Sequence, residues 1–194
     1  MLNDVKNILI VGVGGQGTLL ASKLMGKCFL DKGFDVKVSE VHGMSQRGGS
    51  VVTYVRYGTE VFSPVIDKGE SDMIIAFEEL EAARWLPYLK KNGTIIVNRQ
   101  EINPMPVIMG TATYPEDIIG KLRATVEKVI SVDALSIAVE CGNVKAANTV
   151  LLGVAARVLG FGQDIWLKAI ETTVPAKTVE LNKKAFLSGY NHEQ

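Results

Sequence analysis

The sequence predicts an α/β fold: a mostly parallel sheet with helices on both faces and a helical C-terminal third. Three observations carry this. Apolar runs of strand length, Ile8-Leu9-Ile10-Val11 and Met73-Ile74-Ile75-Ala76-Phe77, alternate with stretches of helical periodicity, as βαβ units require. The first run passes into Gly12-Val13-Gly14-Gly15-Gln16-Gly17, a Rossmann-like strand-to-helix turn. From Asp133 onward the periodicity is helical.

The first strand is expected over 6–12 and the first helix over 16–31, where Leu20, Ala21, Leu24, Met25 and Cys28 form one apolar stripe and Lys23 and Lys27 lie off it. A second strand at 34–40 leads into a polar loop at 42–49. A third at 50–57 is followed by Gly58-Thr59, a turn through which 60–65 can return as a hairpin. The second βαβ unit takes a strand at 73–77, a helix at 79–90 interrupted at Pro87, and a strand at 94–98 after the turn Lys91-Asn92-Gly93. Short strands at 106–109 and 129–132 flank a helix opened by Pro115-Glu116-Asp117, because proline and acids suit a helix N-terminus. Ala147, Val150, Leu151, Val154, Ala155, Val158 and Leu159 keep the i, i+3, i+4 spacing up to Gly160, a C-cap residue. Ile165, Trp166, Ala169 and Ile170 make another stripe, and a last helix follows Pro175.

With 194 residues, 47% of them hydrophobic, and no linker, repeat or low-complexity segment, the chain reads as one domain over 1–194 with a substantial core. Its 21 basic and 21 acidic side chains cancel. No net field therefore draws nucleic acid or an anionic membrane, and a partner must be recognised by shape. The longest apolar stretches, such as Val150 to Ala156, fall far short of the roughly 20 residues that span a bilayer. Met1-Leu2-Asn3-Asp4 lacks the basic start of a secretion signal, so a cytoplasmic location is expected. Cys28 and Cys141 are too few and too far apart for a disulfide framework, a zinc site or a four-thiolate iron–sulfur cluster.

Gly12, Gly14 and Gly17 fit the spacing G-x-G-x-x-G, which suits the cradling of phosphate and equally suits close helix–strand packing. An acid closing the second strand would meet a nucleotide ribose. Glu40 is so placed, 23 residues after Gly17, and can as well cap the following loop or pair with Arg47. No Gly-Lys-Ser/Thr follows the glycines, which excludes a nucleotide-kinase loop. The segment His42-Gly43-Met44-Ser45-Gln46-Arg47-Gly48-Gly49-Ser50 leaves the carboxyl end of the second strand beside the glycine turn, where ligands of open α/β sheets gather. It reads as a binding or interface loop rather than a catalytic one. Ser45 lacks the second glycine of a nucleophile elbow, since Arg47 stands there, and a two-histidine metal set would need His192 of the C-terminal tail beside His42. Asn143 suits the N-cap of the long apolar helix, and Asn148, one residue off its stripe, is free to face a partner or ligand. Cys28 reads as core and Cys141 is undecided; neither has a neighbour that would lower its pKa.

Taken together, Gly12–Gly17, Glu40–Gly49, Phe62-Ser63-Pro64 and Asn143–Gly153 resemble the gamma-type component of the 2-oxoacid:ferredoxin oxidoreductases across residues 5–185. Within that family the wording of residues 42–49 is most similar to the beta subunit of the indolepyruvate-type enzymes. The resemblance implies a component of an oxidoreductase that is inactive alone and contributes no catalytic residue. Members use thiamine diphosphate to decarboxylate a 2-oxo acid, pass electrons through iron–sulfur clusters to ferredoxin, and deliver the acyl group to coenzyme A. This sequence has no Gly-Asp-Gly element of the kind that holds thiamine diphosphate through magnesium and no cysteine cluster. The resemblance therefore implies that those cofactors sit on a larger partner subunit. It also implies a binding set of Gly12, Gly14, Gly15, Gln16, Gly17, His42, Ser45, Gln46, Arg47 and Gly48, closing over the partner's active site or coenzyme A, with Arg47 as a fork for carboxylate or phosphate. The competing reading is an autonomous NAD(P)- or flavin-binding reductase that needs Glu40; a third is a scaffold whose complex works without it. Indolepyruvate and other arylpyruvates are the 2-oxo acids the resemblance favours. Self-association of the isolated chain, through the surface its partner would cover, stays open.

Overall fold

A computed structural model describes residues 4–43 and 48–192. The chain opens with β1 (Lys6–Val13), α1 (Thr18–Asp31), β2 (Asp35–His42) and β3 (Ser50–Gly58), then β4 (Ser71–Ala76), α2 (Glu79–Trp85) and β5 (Leu89–Asn98). It continues through α3 (Met105–Ile108), α4 (Ile118–Thr125) and β6 (Lys128–Val132). The helical third comprises α5 (Ala134–Cys141), α6 (Ala147–Leu159), α7 (Gln163–Thr173) and α8 (Val179–Tyr190). The strands form one sheet in the order β2-β3-β1-β4-β5-β6. β1, β4, β5 and β6 are parallel, whereas β3 runs antiparallel to both of its neighbours, β2 and β1.

Alternation along the strands sorts the core into two halves. Ile8, Ile10, Met73, Ile75, Ile96, Ile130 and Val132 face α1 and the C-terminal helices, where Trp166, Phe29 and Phe186 are the largest fully buried side chains. Leu9, Val11, Ile74, Ala76, Ile95 and Val97 face α2 and α4. A sheet covered on both faces explains why the central strands read as unbroken apolar runs rather than as alternating patterns. Between β1 and β4 the chain switches from building leftward to building rightward, which opens a crevice at the carboxyl ends of those strands.

Several local expectations are corrected. Residues 60–65 form no strand. Asp35 Oδ2 accepts from Val61 N at 2.8 Å, and Arg56 Nη1 donates to the carbonyls of Ser63 and Val65 at 2.8 and 2.9 Å, so a side chain takes the groups a ladder would need. Pro64 also has no N–H to give. Residues 106–109 belong to the short helix α3 and its C-cap, with Pro106 in the first turn, where a missing N–H costs nothing. Lys91-Asn92-Gly93 is an irregularity inside β5 rather than a turn before it: Ser71 pairs with Leu89, and Met73 next pairs with Thr94. β2 extends to His42, which pairs with Val51. Asn143 caps the single 3-10 turn Val144–Ala146 that precedes α6, accepting from Lys145 N at 3.0 Å.

Candidate functional site

The glycine turn is shaped by what crowds it. A Cβ at Gly12 would lie 2.8 Å from Gln16 Oε1 and 3.1 Å from Phe77 Cβ. Gly17 is the N-cap of α1 with φ of 88°, a left-handed conformation that favours glycine, and a Cβ there would stand 2.5 Å from Asn148 Nδ2. No side chain caps α1 and its first turn carries no acid, so its leading N–H groups face the crevice with the positive end of the helix dipole. Such an end accepts phosphate or carboxylate.

Gln16 turns inward and ties the switch point together. Its Oε1 accepts from Val13 N at 2.7 Å, and its Nε2 donates to Phe77 O and to Gln100 Oε1, both at 2.9 Å. Asn98 Nδ2 donates to the same two acceptors at 3.1 and 3.2 Å, and Asn98 Oδ1 accepts from Ala134 N, at the start of α5. The ends of β1, β4 and β5 and the beginning of α5 are thus joined by one set of amides. Neutral amides both donate and accept, so all these groups are matched without a buried charge. Asn98 and Gln100 were missed in the sequence; the one signal was a polar residue closing the apolar run Ile95-Ile96-Val97.

Two clefts flank the turn. One, of about 480 Å³, lies toward α5 and α6 and includes Gly15, Gln16, Phe77, Gln100, Lys145 and Asn148 among its lining residues. Asn148 is 6% exposed and donates to Gly17 O at 3.4 Å, so it backs the glycine turn rather than facing outward. The other, of about 390 Å³, lies toward β2 and is lined by Gly14, Gly15, Gly17, Thr18, Leu19, Glu40, His42 and Val51.

The connection between β2 and β3 is fastened to the turn. Gly14 N donates to Gly49 O at 2.8 Å, and Gly48 N donates back to Gly14 O at 3.4 Å, prolonging the β1–β3 ladder beyond Ser50. Ser50 Oγ in turn reaches Glu81 of α2. Gly12, Gly14, Gly15, Gln16, Gly17, His42 and Gly48 are therefore gathered at one place, with the exposed His42 imidazole Nδ1 at 3.1 Å from Gly43 O. Ser45, Gln46 and Arg47 lie outside the described residues.

Glu40 does not have the surroundings of a ribose acceptor. Its Oε2 takes hydrogen bonds from Thr53 Oγ1 at 3.1 Å and Thr18 Oγ1 at 3.5 Å, and β3 stands between its strand and β1. In the usual dinucleotide unit those two strands are adjacent. Burial pushes the Cys28 thiol up to about 12, with a smaller push from Asp31, which suits a core residue and not a nucleophile. Among the described residues no group of three His, Cys, Asp or Glu side chains could hold a metal ion, and no helix is long and apolar enough to cross a membrane.

Over residues 7–192 the chain matches the family described as pyruvate ferredoxin/flavodoxin oxidoreductase. It is 42% identical to the indolepyruvate oxidoreductase subunit IorB of Thermococcus kodakarensis, covering 94% of this chain and 93% of that one. Its fold is similar to that of the pyruvate oxidoreductase subunit PORC of Thermotoga maritima, with a TM-score of 0.73, 22% identity and coverage of 97% and 96%. It is also similar in fold to part of the 2-oxoglutarate:ferredoxin oxidoreductase of Magnetococcus marinus, solved with 2-oxoglutarate, coenzyme A and succinyl-CoA bound. That likeness has a TM-score of 0.72 and 16% identity, and covers 96% of this chain but 30% of the other.

Proposed function

The chain belongs to the pyruvate ferredoxin/flavodoxin oxidoreductase family, and from that premise we propose that it is the small, cofactor-free subunit of an indolepyruvate- or arylpyruvate-type 2-oxoacid:ferredoxin oxidoreductase. The observation that carries this reading is the 42% identity to an indolepyruvate oxidoreductase subunit over nearly the whole of both chains. The reaction is oxidative decarboxylation of a 2-oxo acid to an acyl-CoA, with electrons leaving to ferredoxin. Thiamine diphosphate with its magnesium and the iron–sulfur clusters supply the carbanion and electron-transfer chemistry from the larger subunit.

This chain's own part is to bind and to cover. The uncapped start of α1, with Gly15 and Gly17 beside it, suits a phosphate group of coenzyme A, and Lys145 at the edge of the larger cleft adds a cation. The connection between β2 and β3, fastened through Gly48 and Gly49 to Gly14, carries Arg47, a residue suited to act as a bidentate donor to phosphate or to the 2-oxo acid carboxylate. His42 adds a polar group at the rim of the smaller cleft, and Ser45 and Gln46 follow it in the same connection. Excluding water there strengthens each of these contacts.

Anaerobic affinity purification of this chain from its host tests the reading. A brown complex with a large thiamine-dependent subunit is expected. A colourless chain recovered alone and carrying NAD or flavin would overturn it in favour of an autonomous reductase.

A further inference from the structure

On the α4 face of the sheet, where β5 and β6 end, two arginines converge on one hydroxyl. Arg99 Nη2 donates to Ser131 Oγ at 3.3 Å, and Arg123 Nη2 donates to the same oxygen at 2.9 Å. Arg99 follows β5, Arg123 lies in the last turn of α4, and Ser131 is in β6, so three elements place this cluster. Among the described residues neither guanidinium has a carboxylate within ion-pair distance. Glu79 and Asp133 feel the Arg99 charge only from beyond contact.

A serine oxygen offers two acceptor positions and one proton. Here both acceptor positions are spent on the guanidiniums, and the hydroxyl proton meets no acceptor among the described residues. What the cluster presents outward is therefore donors alone, carrying two positive charges. Like charges held this close gain from an oxyanion between them, and two guanidinium forks with a hydroxyl match the two oxygens of a carboxylate. Both arginines are exposed on the surface, which fits an acid presented by another polypeptide better than an enclosed small ligand.

The same β5-to-α4 connection carries α3, whose Met105 and Ile108, with Met109 after it, are 62%, 64% and 69% exposed. Methionine and arginine are enriched where proteins meet, and methionine adapts its shape to a partner. Gln100, next to Arg99, lines the larger cleft at the glycine turn. The chain therefore passes from the patch to that cleft within one residue.

We propose that Arg99, Arg123 and Ser131, together with the exposed side chains of α3, form a docking surface for an acidic segment of the larger subunit. The inference rests on the assignment of this chain as the small subunit of such a complex. The test is reconstitution of the complex from the purified large subunit and wild-type chain, Arg99→Ala/Arg123→Ala, Arg123→Glu or Ser131→Ala, with Kd measured at several salt concentrations. The double alanine variant is expected to weaken binding about 10- to 100-fold and to flatten its salt dependence. Arg123→Glu should weaken it further. Ser131→Ala keeps both charges and should weaken it several-fold with the salt dependence retained. Wild-type affinity and salt dependence in the double variant would overturn the docking surface while leaving the subunit assignment standing. So would loss of a homodimer by the isolated variants at unchanged Kd, since the patch would then serve a second copy of this chain. A wild-type chain that fails to bind the large subunit would overturn both.

Discussion

Replacing glycine by alanine inside a helix ordinarily stabilises it, by about 1 kcal/mol; at Gly153 the opposite sign is expected. Gly153 of α6 faces Gly189 of α8 at a crossing of bare backbones. A Cβ at Gly153 would lie 2.1 Å from Phe186 O and 2.7 Å from Tyr190 N, and one at Gly189 would lie 1.9 Å from Val150 O. These neighbours are backbone atoms, so no side chain can swing away. The helices must part until the 2.1 Å contact exceeds 3.4 Å, which loosens the packing of Val150, Ala185 and Phe186, all fully buried. Overpacking of this kind costs roughly 1–3 kcal/mol and more where rigid backbone is struck. With the cost at the upper end of that range, about 3 kcal/mol, and the propensity gain of about 1 kcal/mol set against it, Gly153→Ala should destabilise by about 2 kcal/mol, a fall in Tm of about 4–8 °C for a chain of this length. Gly26 of α1 is the control: a Cβ there meets only Val38 Cγ2, at 3.8 Å. Gly26→Ala should raise Tm by about 1–4 °C. Thermal and urea unfolding of both variants measure this. Gly153→Ala melting at or above the wild type would refute the account of the crossing.

Arg47→Ala should cut turnover of the assembled enzyme by more than about tenfold at unchanged Tm, if the guanidinium binds a charged group; wild-type rates would count against that role. Gln16→Glu removes the donor that serves Phe77 O and Gln100 Oε1 and places a carboxylate against acceptors, at a cost of about 1–3 kcal/mol. Its folded-state pKa should rise above the unfolded value of about 4.3, so stability matches the wild type best at acid pH and is lost as pH rises through the folded value. Urea melts from pH 4 to 8 would show this, and a pH-independent deficit would contradict it. Cys28, pushed up to about 12 by burial from an ordinary 9.0, should stay unlabelled by a thiol reagent at pH 8 in the native protein while the partly exposed Cys141 reacts. Because its ionisation penalty falls on the folded state alone, stability should decline as pH climbs above about 9. Equal native labelling of both thiols would sink this.

Much of the molecule was legible in the chain, because each apolar run and stripe reports a local periodicity that the covered sheet and its helices then use. The runs Ile8–Val11 and Met73–Phe77 became β1 and β4 with its exit, and the stripe from Ala147 to Leu159 became α6. The association of His42, Gly48 and Gly49 with the glycine turn followed from strand direction alone. What stayed hidden depended on contacts distant in sequence. Nothing local says that β3 inserts between β1 and β2, yet that insertion removes Glu40 from the ribose position and gives its carboxylate to Thr18 and Thr53. Asn98 and Gln100 gain meaning only when the ends of β1, β4 and β5 meet at Gln16. Residues 60–65 and 106–109 have strand-like composition, but Arg56, Pro64 and Pro106 decide otherwise.

The division of the core has a consequence for how the protein is made. The sheet is complete once Val132 has been synthesised, and Leu9, Val11, Ile74 and Ile95 by then have α2 and α4 over them. On the other face α1 is available early, but Trp166, Ile170 and Phe186, which close over the same core as Ile75, Ile96 and Val132, arrive with α7 and α8. At a translation rate of roughly 5–20 residues per second, the emerging chain therefore carries a greasy face that only α1 covers for several seconds, and a message cut short after β6 would leave the rest of it bare for good. The C-terminal third is thus the half of the core that the ribosome delivers last, and quality control in the cell will judge this protein by whether it arrives.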